Sequence, residues 1–224
     1  YGEAKSAMND GNYKTALEYL DKIQARYPFG RYAQQAQLDT IYLQYKDGEP
    51  DAAIAAADRF IKANPRHPYV DYAYYMKGMA NFSRSDTIID RFVPTDRSKT
   101  DTATARQSYN DFAELARKFP NSKYAQDAQQ RMQFLHNSLA TYEVHVADHY
   151  LQRGAYVAAV NRAKYVLENY SRTPAAADAL SIMTQAYVKM NMPQLAADSL
   201  RVLQHNYPDS PDLPKLNALV KGAG

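Results

Sequence analysis

Cysteine and tryptophan are absent from the 224 residues, and glycine occurs only eight times. Without cysteine there is no disulfide, no thiolate metal site and no cysteine nucleophile. A secreted chain can also lack cysteine, so the compartment stays open. No run approaches the ~18 apolar residues of a membrane-spanning helix. The longest apolar runs are six residues, 52–57 and 155–160. Neither sign of charge dominates: 27 Lys and Arg stand against 24 Asp and Glu, a net +3. That balance lacks the basic excess of a dedicated nucleic-acid binder. Phosphate-binding loops, dinucleotide fingerprints and Gly-x-Ser-x-Gly elbows are also missing, so nothing marks an enzyme.

What is present is globular. Hydrophobic residues make up 46% and charged residues 23%, which excludes intrinsic disorder. The mean hydropathy is still low, −0.61. Twenty tyrosines replace much of the usual Leu, Ile and Phe. The chain opens on Tyr1 rather than Met, and that start is not evidence for or against a signal peptide or an anchoring residue upstream.

A punctuation pattern recurs along the chain. A Gly is followed five residues on by Ala, and twelve residues later by Pro, usually after an aromatic. The copies are Gly11, Ala16 and Tyr27-Pro28; Gly48, Ala53 and Asn64-Pro65; Ser108 and Phe119-Pro120; Gly154, Ala159 and Tyr170-Ser171; and Ala196 and Tyr207-Pro208, with Asn191 at the glycine position. Anchor spacings are 37, 55, 51 and 37 residues. The outer two match one helical hairpin; the inner two require insertions or longer helices. Small anchors let antiparallel helices cross closely. The Gly turns the chain between them, and the Pro stops the second helix. The pattern resembles the tetratricopeptide repeat, and the expected fold is an all-α tetratricopeptide-repeat solenoid. It would hold about five hairpins, an insertion in the third repeat and one long helix. Helices are expected over 2–9, 13–26, 30–46, 50–63, 69–83, 103–118, 122–152, 155–169, 174–190 and 193–206. Residues 1–118 hold repeats one to three and 119–224 hold repeats four and five.

In that repeat the first helix of each pair lines the inner face at positions 2, 5, 9, 12 and 13. The second and third repeats place Tyr42, Tyr45, Tyr72, Tyr75, Met79 and Phe82 there, beside Gln35, Leu38, Lys46 and Ser83. The fourth places Thr141, Val144, Asp148, Leu151 and Gln152, and the fifth Asp178, Ser181, Gln185, Val188 and Lys189, with no aromatic in either. An aromatic groove in the N-terminal half suits a peptide with apolar and aromatic side chains. The alternative is that these rings pack between helices.

Three other features carry a choice. His145 and His149 share a helix face, but Val146 stands where a zincin needs Glu, so a packed or surface pair competes with a metal site and no metal is expected. The segment 83–103 mixes both signs of charge with Ile88, Ile89, Phe92 and Val93, an apolar stretch that docks either on its own repeats or on a partner. Arg162, three residues past Ala159, offers a fork to a partner's carboxylate or makes an intrachain ion pair.

Several motifs are more specific than the repeat. Tyr27-Pro-Phe-Gly-Arg-Tyr32, Asp58-Arg-Phe-Ile-Lys-Ala-Asn-Pro65, His67-Pro68, Tyr75-Met-Lys-Gly78, Asp96-Arg-Ser98, Pro120-Asn-Ser-Lys-Tyr124 and the stretch from Gly154 to Arg162 together resemble the BamD family, called ComL in Neisseria-type bacteria. Its members are lipoproteins of the machine that inserts β-barrels into the Gram-negative outer membrane. The resemblance implies no catalysis, no cofactor, and a lipid anchor upstream of Tyr1 that holds the protein on the periplasmic face of the outer membrane. It implies that the C-terminal half docks on the last POTRA domain of BamA, with Arg162 on an acidic residue there. It implies that the N-terminal half recognises the C-terminal signals of unfolded outer-membrane proteins, with Tyr27 involved. BamC and BamE are further implied partners. The competing expectation is a generic periplasmic tetratricopeptide adaptor linked to cell-wall synthesis or peptidoglycan.

Overall fold

The computed structural model describes residues 1–28, 30–89 and 98–222. Its helices are α1 (Gly2–Asn9), α2 (Tyr13–Arg26), α3 (Arg31–Lys46), α4 (Pro50–Ala63), α5 (Val70–Ile89), α6 (Ser98–Lys118), α7 (Ala125–Gln152), α8 (Tyr156–Asn169), α9 (Ala175–Lys189), α10 (Pro193–Asn206) and α11 (Leu213–Lys221). No strand occurs among the described residues. The all-α tetratricopeptide fold is as the punctuation requires.

Each element of that punctuation has a physical counterpart. Gly11, Gly48 and Gly154 sit at φ of +73, +79 and +77, and Asn191 at +57. These left-handed residues close the same helix stop four times. In the first, the Gly11 amide donates to the Met8 carbonyl at 3.2 Å and the Asn12 amide to Ala7 at 2.9 Å. In the last, Asn191 donates to Val188 at 3.0 Å and Met192 to Tyr187 at 2.9 Å. Asparagine tolerates this backbone best after glycine, which explains the substitution.

The anchors Ala16, Ala53, Ser108, Ala159 and Ala196 are all fully buried. Ser108 differs because its hydroxyl donates to the Gly78 carbonyl of the facing helix at 3.1 Å. The α5–α6 crossing is tight: a Cβ built on Gly78 would lie 2.6 Å from the buried Phe112 ring. The same crossing carries a buried polar cluster. Asp111 accepts from Asn81 at 2.7 Å and from Gln107 at 3.1 Å. Lys77 lies 3.7 Å from it and 2.8 Å from Asp58, which ties α4 to α5 and α6. Burial pushes the Asp111 carboxyl above its ordinary value despite these donors.

The second type of turn also repeats. The amide three residues past Tyr27, Asn64, Phe119, Tyr170 and Tyr207 donates back to that residue's carbonyl at 3.0–3.2 Å. A further bond follows three residues later each time, the Ala33 amide donating to the Gly30 carbonyl in the first copy and Leu213 to Ser210 in the last. The last pair launches α11, which therefore starts in the register of a sixth repeat's first helix. Leu216 of α11 is buried against Leu180, Leu200 and Leu203. The helices expected from sequence end at 206, so α11 is an addition to them. The Leu213, Leu216, Val220 spacing was the available signal.

Two expected boundaries are corrected. Helix α5 runs to Ile89 rather than 83, and α6 begins at Ser98 rather than 103. Within the described residues, the expected insertion in the third repeat takes the form of lengthened helices. Nothing between Gly78 and Pro94 in the sequence breaks a helix, and alternating charges there suit an exposed helical face as well as a loop. The expected docking of Ile88, Ile89, Phe92 and Val93 falls on side chains outside the described set. The chain packs as two compact units, Tyr1–Leu135 and His136–Gly224. Their boundary falls inside α7.

Gly78→Ala is expected to destabilise the protein by about 1–3 kcal/mol, because the added methyl meets an aromatic ring that has no room to retreat. A lowered urea midpoint at unchanged slope is the outcome to look for; an unchanged midpoint would show that Phe112 repacks freely.

Candidate functional site

Helix α5 carries Tyr72, Tyr75, Met79 and Phe82 at intervals of three, four and three residues, so they form one stripe. The stripe packs on Tyr124 and the first turns of α7. The Tyr75 and Tyr124 rings stack at 4.6 Å and 17°. Tyr72 tilts against Tyr124 at 5.7 Å. The Tyr75 hydroxyl donates to Asp127 at 2.7 Å, and Arg131 Nε donates to the same oxygen at 2.6 Å. The Arg131 guanidinium lies 4.8 Å from the Phe82 ring centroid, within cation–π range. Phe82 then meets Phe112 edge-on at 6.4 Å and Phe134 at 5.9 Å.

The electrostatics follow from this packing. Burial, with the Asp127 hydrogen bond and charge added, pushes the Tyr75 phenol up to about 12, while Arg131 pulls the other way. Burial also raises Tyr72, helped by nearby Tyr124, Asp39, Tyr42 and Tyr75. Burial alone would raise Asp127, but the Arg131 and Tyr75 hydrogen bonds outweigh it and hold the carboxyl below its usual value. Tyr1 donates a short hydrogen bond to Asp39, and its ring tilts against Tyr32 at 5.6 Å.

The sequence-derived groove residues thus divide. Tyr72, Tyr75 and Phe82 are half-buried between α5 and its neighbours, as the packing alternative has it. Met79 and, on α3, Tyr45 are half-buried too. Tyr42 is 38% exposed and close enough to Tyr72 to influence it. Tyr27 is 58% exposed in the connection after α2, with Arg26 5.8 Å from its ring. Tyr32, Tyr124 and Phe134 were missed. Phe134, 46% exposed, lies on a helix whose inner positions were counted from its far end. The spacing Tyr124, Asp127, Arg131, Phe134 was the signal that this end also faces α5.

In the C-terminal unit, Arg162 Nη1 donates to Glu143 Oε2 of α7 at 2.9 Å. The Glu143 side chain is 4% exposed and that of Arg162 47%. The intrachain pair is therefore present, and half of the arginine still faces solvent. His145 and His149 are exposed. No cluster of three potential metal-ligating side chains occurs among the described residues.

Residues 1–203 match the profile of a family, YfiO, described as an outer membrane lipoprotein. The outer membrane protein assembly factor BamD of Neisseria gonorrhoeae is 44% identical over 213 residues, 95% of this chain and 80% of that one. Its Xylella fastidiosa (strain Temecula1) counterpart is 37% identical over 99% of this chain and 77% of that one. In Vibrio cholerae the figures are 36%, 92% and 86%. The chain belongs to the BamD family. The tetratricopeptide domain of P58(IPK), aligned at 15% identity with a TM-score of 0.46, is too distant to add anything. The BamD relatives span both the aromatic face and Arg162.

Two predictions test this geometry. The raised Tyr75 phenol contributes stability that is complete below pH 10 and is lost as pH rises from 10 to about 12, where the unfolded chain ionises first. Denaturation curves of wild type and Tyr75→Phe across that window are expected to differ in slope, the variant losing less. Parallel curves would mean that Tyr75 is not shielded. Arg162→Glu would set a second carboxylate against buried Glu143 and is expected to cost about 2 kcal/mol, below the range of fully buried pairs because Arg162 is half exposed. Calorimetric melting reads that loss directly, and an unchanged transition would mean the pair adds nothing to the fold.

Proposed function

We propose that the chain is a non-catalytic scaffold for outer-membrane protein assembly. The carrying observation is the exposed aromatic edge of a packed platform, on a chain whose family members are named as outer membrane protein assembly factors. Tyr42 lies at the Tyr72 end of the α5 stripe and Phe134 at the Phe82 end. Those ends are ten residues apart on a helix, about 15 Å, the reach of about five extended residues. An apolar segment ending in an aromatic fits that length. Its aromatic side chains would lie on Tyr42 and Phe134, and its terminal carboxylate would meet Arg131. The half-buried Tyr72, Tyr75 and Phe82 fix the platform; Tyr42, Phe134 and Tyr27 are the rings a ligand can reach. Aromatic contact of this kind gives area at low entropy cost.

The ligand on this reading is the C-terminal signal of an unfolded outer-membrane protein, held by the N-terminal repeats of residues 1–118 together with the first turns of α7. Repeats four and five, residues 119–224, dock on the POTRA domain of a BamA-type barrel protein through the open side of Arg162. BamC- and BamE-type lipoproteins are further partners, and a lipid anchor keeps the assembly on the periplasmic face of the outer membrane. No helix among the described residues is long and apolar enough to cross a membrane.

Two titrations test the proposal. A fluorescent ten-residue peptide with a C-terminal Phe is expected to bind at least tenfold more weakly to Tyr42→Ala/Phe134→Ala, and amidating its terminus should weaken it further. Indifference to both changes would refute the groove and favour a generic adaptor. For docking, Glu143→Gln/Arg162→Gln removes the buried charge together with its partner, so the fold is spared the imbalance of a single substitution. Calorimetric binding of a POTRA fragment lost in that variant supports the Arg162 interface; full binding moves it elsewhere.

A further inference from the structure

A second concave surface lies among α2, α3 and α4, apart from the aromatic platform. It is an open cleft of about 630 Å³. Phe60 and Ala56 of α4, both buried, form its floor. Gln24 of α2 and Gln37 and Thr40 of α3 form its polar wall. Arg59 and Lys62 stand at its mouth, three residues apart on one face of α4 and both exposed.

Its charge is one-sided. Arg59 and Lys62 are the ionisable side chains that line it, and neither makes an ion pair among the described residues. The acid next to them in sequence, Asp58, is engaged by Lys77 at 2.8 Å. The wall is built to hydrogen-bond. Gln24 Nε2 donates to Thr40 Oγ1 at 3.2 Å, and Thr40 donates to the Ala36 carbonyl at 2.8 Å. Gln37 Oε1 accepts from Asn64 at 3.2 Å, which fixes the amide with its own NH₂ group turned away from Asn64. Gln24 Oε1 and Gln37 Nε2 then leave an acceptor and a donor on the lining of one cleft, the two kinds of group a peptide unit needs. On α3, Gln37 and Thr40 lie about 140–160° around the helix from Tyr42, at 100° per residue. The cleft and the Tyr42 edge thus face opposite ways.

We infer that this cleft binds an extended acidic segment of a partner protein. Its carboxylates would pair with Arg59 and Lys62, its backbone with Gln24 and Gln37, and an apolar side chain would rest on Phe60. A bare phosphate or lipid headgroup would use the cations but leave the apolar floor and the amide wall without a role. Because the cleft and the Tyr42 edge face opposite ways around α3, occupancy of one does not block Tyr42 at the other.

The test is selection from a display library of random ten-residue peptides, with the intact chain as bait beside Arg59→Glu/Lys62→Glu. Both substituted side chains are exposed, and circular dichroism checks that the variant is folded. The wild type is expected to enrich peptides with Asp or Glu next to an apolar residue. The charge-reversed variant should bind the enriched peptides at least tenfold more weakly. Gln37→Leu should weaken them with the cations intact, which a purely electrostatic patch would not do. Enrichment without acidic residues, or equal binding by the charge-reversed variant, overturns the inference. So does binding to phosphatidylglycerol vesicles that depends on Arg59 and Lys62 when no acidic peptide is enriched. Tyr42→Ala/Phe134→Ala should leave the selected peptides unaffected, which separates this site from the proposed signal groove.

Discussion

The close crossing of paired helices is the constraint on which everything else rests. Two helices approach to small-residue distance only where neither has a side chain in the way. The five buried anchors meet that condition. At the third crossing Gly78 and Ser108 meet it together, one by having no side chain and the other by bonding to the backbone it touches. Small anchors bury little apolar area of their own. The hairpins therefore depend on the larger residues that flank each crossing, such as Leu20, Phe60, Phe112, Val166 and Leu203. The left-handed turns complete the device. Each ends one helix and turns the chain into the next, which carries the buried anchor.

Such a skeleton leaves the first helix of each hairpin with residues that the crossing does not use. In the N-terminal unit these are aromatic, and they serve two ends. Tyr72, Tyr75 and Phe82 lose much of their surface to Tyr124, Phe112 and Phe134, so they hold α5 against its neighbours. Tyr42 and Phe134 keep over a third of theirs. A rigid inner layer with a reachable outer edge is a better recognition surface than freely rotating rings, because less freedom is lost on binding. The Tyr75–Asp127–Arg131 chain adds to that rigidity and keeps a cation at the edge of the layer.

The parts of this arrangement legible in the sequence are those set by one residue's backbone or size. Gly11, Gly48, Gly154 and even Asn191 announced their turns, since few residues accept a positive φ. The anchors announced the crossings, since only small residues fit. Length was less legible. The ends of α5 and α6 hang on helix propensity among charged residues, which is weak and non-specific. Helix α11 repeats the turn of the earlier hairpins, but its own short sequence carries no anchor. Pairings were least legible. Arg162 meets Glu143 nineteen residues back on another helix, and Phe134 meets Phe82 across two connections. Both depend on how helices pack, not on local pattern.

The Arg162–Glu143 pair shows why the loss of a function on mutation need not locate an interface. A buried carboxylate bound to a half-exposed guanidinium makes the arginine part of the fold and part of the surface at once. Glu143 fixes one side of the guanidinium fork and leaves another edge open, which pre-orders it for a second carboxylate. Pre-ordering of that kind lowers the entropy cost of docking, so Glu143 would support an interface that it never touches. Deleting the arginine alone would remove the proposed partner contact and also break its pair with buried Glu143, which ties α8 to α7. Only a change that also relieves the buried charge separates the two effects. The same reasoning covers Tyr75, whose ring stacks within the platform while its hydroxyl holds Asp127 in place for Arg131. In a repeat with such small anchors, the residues best placed to meet a partner are often those that also keep neighbouring helices together.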